Sequence, residues 1–165
     1  MLIKKESLNL LPSRGVYTLV ILLIKNKTLK VGKFGKITFP KGYYAYTGSA
    51  LGPHERSLQN RIYRHLSKEK TIRWHIDYLL KHKEAIVKAV LAAETDEKQK
   101  ECEINKLIMK KLKGKIVVKG FGASDCKQNC ESHLIFLNQK RNVEYAISIL
   151  YQNYFNGKFM SIILV

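Results

Sequence analysis

Apolar residues run almost unbroken through GVYTLVILLI at 15–24. The run is rich in β-branched side chains and predicts a central strand buried on both faces. LKVGKFGKITFP (29–40) breaks at Gly32 and Gly35, predicting two short strands joined by a glycine-containing turn. Pro40-Lys41-Gly42 predicts another turn, and GYYAYTG (42–48) a tyrosine-rich strand. The period changes after Pro53. In ERSLQNRIYRHLSK (55–68), Leu58, Ile62 and Leu66 recur every four residues, giving a helix with one apolar stripe. A short helix follows in WHIDYLLKH, opened by Thr71 or Arg73, with Ile76, Leu79 and Leu80 inward. IVKAVLAAE (86–94) reads as a strand. From about Asp96 to Lys113 a third helix turns Ile104, Leu107, Ile108 and Leu112 to the core. KIVVKGFG (115–122) and HLIFL (133–137) predict further strands, NVEYAISILYQNYF (142–155) a late helix and FMSIILV (159–165) a closing strand.

Strands and hairpins come first and helices later. That order predicts an α/β chain of the α+β kind, with a small mixed or antiparallel sheet flanked by helices. Neither an internal repeat nor a Pro/Gly/Ser linker divides the 165 residues, so one domain over 1–165 is expected. A chain of this length buries about 70 % of its unfolded surface.

Thirty Lys and Arg against thirteen Asp and Glu leave a formal charge of +17, more than solubility requires. Such an excess points to a polyanion, because each neutralised phosphate releases condensed counterions. Nucleic acid is the expected partner. The apolar runs are too short to span a bilayer, and no segment joins a strong apolar face to a basic one, so no membrane role is expected. MLIKKESLNLLPSRG lacks the apolar core and cleavage site of a secretory signal, so the expected location is cytoplasmic. An odd set of three cysteines in such a compartment argues against a disulfide framework.

Arg61 and His65 stand four apart on one helix face, bordering the Leu58/Ile62/Leu66 stripe, with Arg64 and Lys68 as a basic flank. A guanidinium fixed at a core edge suits a phosphate, since its planar donors grip two oxygens. A solvated basic face is the competing reading. Glu101 lies three and seven residues before Ile104 and Ile108, on the apolar stripe, where a carboxylate needs a cation or a metal. Glu103 falls on another face.

Gly15-Val16-Tyr17 and Tyr46-Thr47-Gly48 resemble the two halves of the GIY-YIG nuclease motif. The chain is similar to one branch of that superfamily, marked by the segments Gly42–Gly52, Arg64–Leu80, Glu101–Glu103 and Gly120–Leu134. The resemblance covers about 14–137. It implies a small sheet flanked by helices and a metal-dependent phosphodiesterase site. Tyr17, Tyr46, Arg61 and His65 would be catalytic, and Glu101 would hold Mg²⁺ or Mn²⁺. One tyrosine would take the proton of the attacking water, with nearby cations favouring its phenolate. Gly48 and Ser49 (where several members carry lysine), with Arg64, Lys68, Arg73 and His75, would meet the nucleic acid. Gly48 would let a phosphate backbone approach closely. The long separation of the two halves, 18–45, implies a β-hairpin inserted over 26–42. The expected activity is a metal-dependent endonuclease acting on DNA in preference to RNA, in repair or processing. The alternative is a nucleic-acid-binding module that keeps the fold without cutting.

Cys126, Cys130 and His133, with Cys102, offer four N/S ligands for zinc, though free cysteines are often simply buried. Trp74 is expected to anchor packing, and His75 and Asp77 to form a structural pair or cap a helix. Lys110, Lys111, Lys113 and Lys115 form a basic run, either a solvated face or an extension of a DNA path. Residues 138–165 are expected as a helix–strand extension that covers a sheet edge or meets a homodimer or protein partner.

Overall fold

The structure, a computed structural model, describes residues 8–138 and 141–164. Its strands are β1 (Gly15–Leu23), β2 (Lys27–Lys30), β3 (Lys36–Phe39), β4 (Gly42–Ala50), β5 (Ala85–Ala93), β6 (Lys115–Ile116), β7 (Leu134–Asn138) and β8 (Met160–Ile163). The helices are α1 (Leu58–Leu66), α2 (His75–Leu80), α3 (Gln99–Lys111) and α4 (Val143–Tyr154). Six strands form one antiparallel sheet in the order β6-β7-β4-β1-β5-β8, and β2 and β3 form a separate hairpin. The α+β class and the sheet flanked by helices are as the sequence predicts.

Because β1 is central, its residues face two cores. Tyr17, Leu19, Ile21 and Leu23 pack with Leu58 and Ile62 of α1, Leu79 of α2 and Leu29 and Phe39 of the hairpin. Val16 and Val20 turn the other way, onto Ile104 and Ile108 of α3 and Ile147 and Tyr151 of α4. Period-two alternation thus explains why an unbroken apolar run is needed. The hairpin within 26–42 is present, and its turn is a 3-10 segment, Gly32–Phe34.

Several boundaries differ from the sequence reading. Only Lys115 and Ile116 of 115–122 are strand; further on the chain turns at Gly120 (φ +81°) and Gly122 (φ +69°). Helix α2 begins after Trp74, not at Thr71 or Arg73: the Asp77 carboxylate accepts from the Arg73 and Trp74 backbone N–H groups at 2.8 and 2.9 Å. The C-terminal helix and strand cover the β5 sheet edge, as expected, and also enter the core. Strand β8 pairs with β5, and the buried Tyr151 hydroxyl lies 2.8 Å from Thr18 Oγ1, itself 3.0 Å from Thr47 Oγ1. Thr47, in the middle of the second motif, therefore has a polar partner in an otherwise apolar layer.

Tyr17 lies directly opposite Gly48 in the β1–β4 register. A Cβ at Gly48 would stand 2.5 Å from the Tyr17 hydroxyl oxygen. The glycine thus makes room for a phenol of the same protein, and it also lines the cleft. Gly48→Ala is expected to cost about 2 kcal/mol through overpacking and to displace Tyr17. Urea denaturation would check the loss; an unchanged midpoint would show that the ring moves freely.

Candidate active site and metal centre

Position 49 joins the two layers. Ser49 follows Gly48, so its side chain points to the opposite face of the sheet and its hydroxyl donates to Glu101 Oε2 on α3. Its carbonyl accepts from Arg61 of α1, on the other layer, at 2.6 Å. Arg61 and Glu101 are thereby brought to one place from opposite sides. They line a cleft of about 310 Å³ together with Tyr17, Tyr46, Gly48, Ser49, Trp74, Lys98 and Asp125. The four residues Tyr17, Tyr46, Arg61 and Glu101 converge.

His65, one turn beyond Arg61, is 2 % exposed and stands with Nε2 2.7 Å from the Tyr17 hydroxyl. Its Nδ1 has no hydrogen-bond partner among the described residues. Burial, aided by the charge of Lys70, pushes the imidazole down to about 3, so it is neutral at physiological pH. Burial also pushes both phenols up, Tyr17 well above the ordinary value. Arg61 pulls the other way but is outweighed. This overturns the expectation that cations favour a phenolate: in the free protein both tyrosines are neutral.

The basic flank has structural partners. Arg64 grips buried Asp77 through two bonds of 2.9 Å and lies 4.4 Å from the Trp74 ring centre. Arg61 approaches the same ring at 4.8 Å, so Trp74 holds both guanidiniums as well as anchoring packing. Lys68 donates to the carbonyls of Leu80, His82 and Ala85 at 2.9, 3.0 and 2.8 Å, tying α1 to the end of α2. His75 accepts from the Gly122 N–H at 3.0 Å and does not pair with Asp77. In the free protein these bonds give Arg64, Lys68 and His75 structural partners. Arg73 is exposed. Lys110, Lys111, Lys113 and Lys115 are exposed at the end of α3 remote from Glu101. Glu103 faces away, toward Lys100 and Tyr154.

A second constellation abuts the first. Ligand atoms of Cys102, Cys126, Cys130 and His133 all lie within 4.8 Å of one another, a group able to hold a metal ion. His133 is shared: its Nε2 is 3.8 Å from Cys102 Sγ, and its Nδ1 is 2.7 Å from Glu101 Oε1.

Sequence reasoning missed Asp125 and Lys98 in the cleft, 3.6 Å apart. Asp125 lies inside a segment already singled out, Gly120–Leu134, and was within reach; Lys98 sits in an ordinary charged run and carries no signal. The Glu101–His133 contact joins two residues flagged for different reasons.

Residues 16–155 match the family model described as a domain of unknown function, DUF123. The chain belongs to that family. The match covers the cleft, the cysteine cluster and α4, so the C-terminal helix lies inside the DUF123 domain. No curated protein and no solved structure matches this DUF123 chain. Among the described residues, no helix is long and apolar enough to cross a membrane.

Two outcomes are expected. An unfolded histidine takes up its proton near 6.5, whereas His65 resists until about 3. The unfolded state therefore holds more protons across that window, and stability falls as pH drops through it. His65→Gln should flatten this acid limb by up to about 1.4 kcal/mol per pH unit, read from urea melts between pH 6.5 and 5. Asp77→Ala leaves the largely buried Arg64 unpaired and is expected to cost about 3 kcal/mol, measured by the same melts.

Proposed function

We propose that this protein is a divalent-metal-dependent endonuclease of the GIY-YIG kind, acting on DNA. The observation that carries the reading is the convergence of Tyr17, Tyr46, Arg61 and Glu101, from two strands and two helices, on one cleft. The charge of +17 supports a polyanionic substrate. Shape or damage, rather than base sequence, is the expected basis of recognition.

Glu101 and Asp125 place hard oxygen donors in the cleft, which fits a magnesium or manganese ion held by one or two carboxylates and completed by substrate phosphate. Such an ion would neutralise charge on the scissile phosphate. Arg61, fixed by Ser49 and Trp74, stabilises charge growing on the phosphoryl oxygens. Tyr17 stays a neutral phenol: its hydroxyl donates to Nε2 of His65 while its oxygen accepts a hydrogen bond from the attacking water. Tyr46 orients the water.

The test is incubation with branched, flapped and damaged duplexes under Mg²⁺ or Mn²⁺, with metal withheld as the control. Metal-dependent cleavage is expected, reduced about 100-fold or more by Arg61→Ala, reduced by Tyr17→Phe and Glu101→Gln, and unchanged by Glu103→Ala. Salt-sensitive binding of every substrate without cleavage would overturn the nuclease reading in favour of a non-catalytic binding module.

A further inference from the structure

Loop 117–133 leaves the sheet at β6, turns at Gly120 and Gly122, and returns to β7. It brings Cys126, Cys130 and His133 against Cys102 in the first turn of α3. Cys102 is adjacent to Glu101, so this helix end serves both the cysteine cluster and the cleft. Three soft sulfurs and one imidazole nitrogen select a mononuclear, tetrahedral metal. With Zn–S of about 2.3 Å and Zn–N of about 2.0 Å, a tetrahedron separates two sulfurs by about 3.8 Å and a sulfur from the nitrogen by about 3.5 Å. The observed separations are 3.3 Å for Cys102 Sγ to Cys126 Sγ and 3.8 Å for Cys102 Sγ to His133 Nε2. An iron–sulfur cluster would need its ligands further apart, around several metal atoms. A copper(II) centre would want flatter geometry.

The orientation of His133 supplies an independent pointer. Its Nε2 faces the thiols, while its Nδ1 meets the Glu101 carboxylate at 2.7 Å, and the ring is almost wholly buried. A metal-bound histidine commonly has its other ring nitrogen beside a carboxylate; here Nδ1 and Glu101 are an ion-pair distance apart without being aligned as a hydrogen bond. We propose that Cys102, Cys126, Cys130 and His133 form a structural zinc site, and that His133 in turn holds Glu101 at its place in the cleft. The three thiols lose their protons on binding, and the neutral imidazole gives the lone pair of Nε2. Glu101 is then a positioning residue for the zinc as well as a wall of the cleft. The zinc site itself stands without the nuclease reading; only the catalytic meaning of Glu101 rests on it.

Metal analysis of the purified full chain tests the proposal without any nucleic acid. One zinc per chain is expected. Cobalt exchanged into the site should give intense tetrahedral d–d bands and a thiolate-to-cobalt charge-transfer band. Cys130→Ser and His133→Ala should weaken zinc retention against a chromophoric chelator. Glu101→Gln should keep the zinc but bind it about 10- to 100-fold more weakly. Should these variants fail to fold, thiol titration of the wild type decides: three thiols shielded until chelator is added support the site. Zinc-free protein with three freely reactive thiols, or with a Cys102–Cys126 disulfide, would overturn it. Unchanged zinc affinity in Glu101→Gln would overturn the positioning role alone. Zinc present without DNA cleavage would count against the nuclease reading and leave the metal site standing.

Discussion

The arrangement depends on one register: Tyr17 of β1 lies opposite the only residue type that leaves room for its ring. Shifting β1 against β4 by one residue would put a side chain against the phenol and turn Ser49 to the wrong face. With the register as it stands, Tyr17 reaches His65, and Ser49 presents its hydroxyl to α3 and its carbonyl to α1. The sheet therefore acts as a spacer that sets helices from its two faces to a common point. Neither helix would find the other without it.

Burial, rather than net charge, governs protonation in the cleft. A protein of +17 would be expected to favour every anion it carries, yet Tyr17 and Tyr46 are held neutral because they lie almost fully out of water. His65 is neutral for the same reason with the opposite sign. The surface charge acts at long range on a partner, while Tyr17, Tyr46 and His65 stay in their uncharged forms in the free protein.

Much of the fold was legible because apolar periodicity reports which faces are covered. The central strand, the hairpin, the α1 stripe and the late helix all follow from it. Of the strand expected over 115–122 only Lys115 and Ile116 pair, although Val117, Val118 and Phe121 still pack inward before and between the turns at Gly120 and Gly122. Apolar content records burial, not pairing. For the candidate site, residue type and spacing were enough to select Tyr17, Tyr46, Arg61 and Glu101. They were insufficient for Arg64 and Lys68, whose long side chains turn back to protein partners that lie elsewhere in sequence. The contact between Glu101 and His133 spans α3 and a loop, and no local pattern encodes it.

The hydroxyl chain from Tyr151 to Thr18 closes across 133 residues. Strand β1 leaves the ribosome early, but its neighbour β5, the helix over its second face and that hydroxyl partner come much later. One face of a strongly apolar strand must wait for its full cover through most of synthesis. Loop closure over such separations has to precede the contacts that reward it, which places the folding of this domain toward the slow end for its size. Until α4 docks, the face of β1 that carries Val16 and Val20 lacks part of its cover, and the chain can associate with its own kind through it.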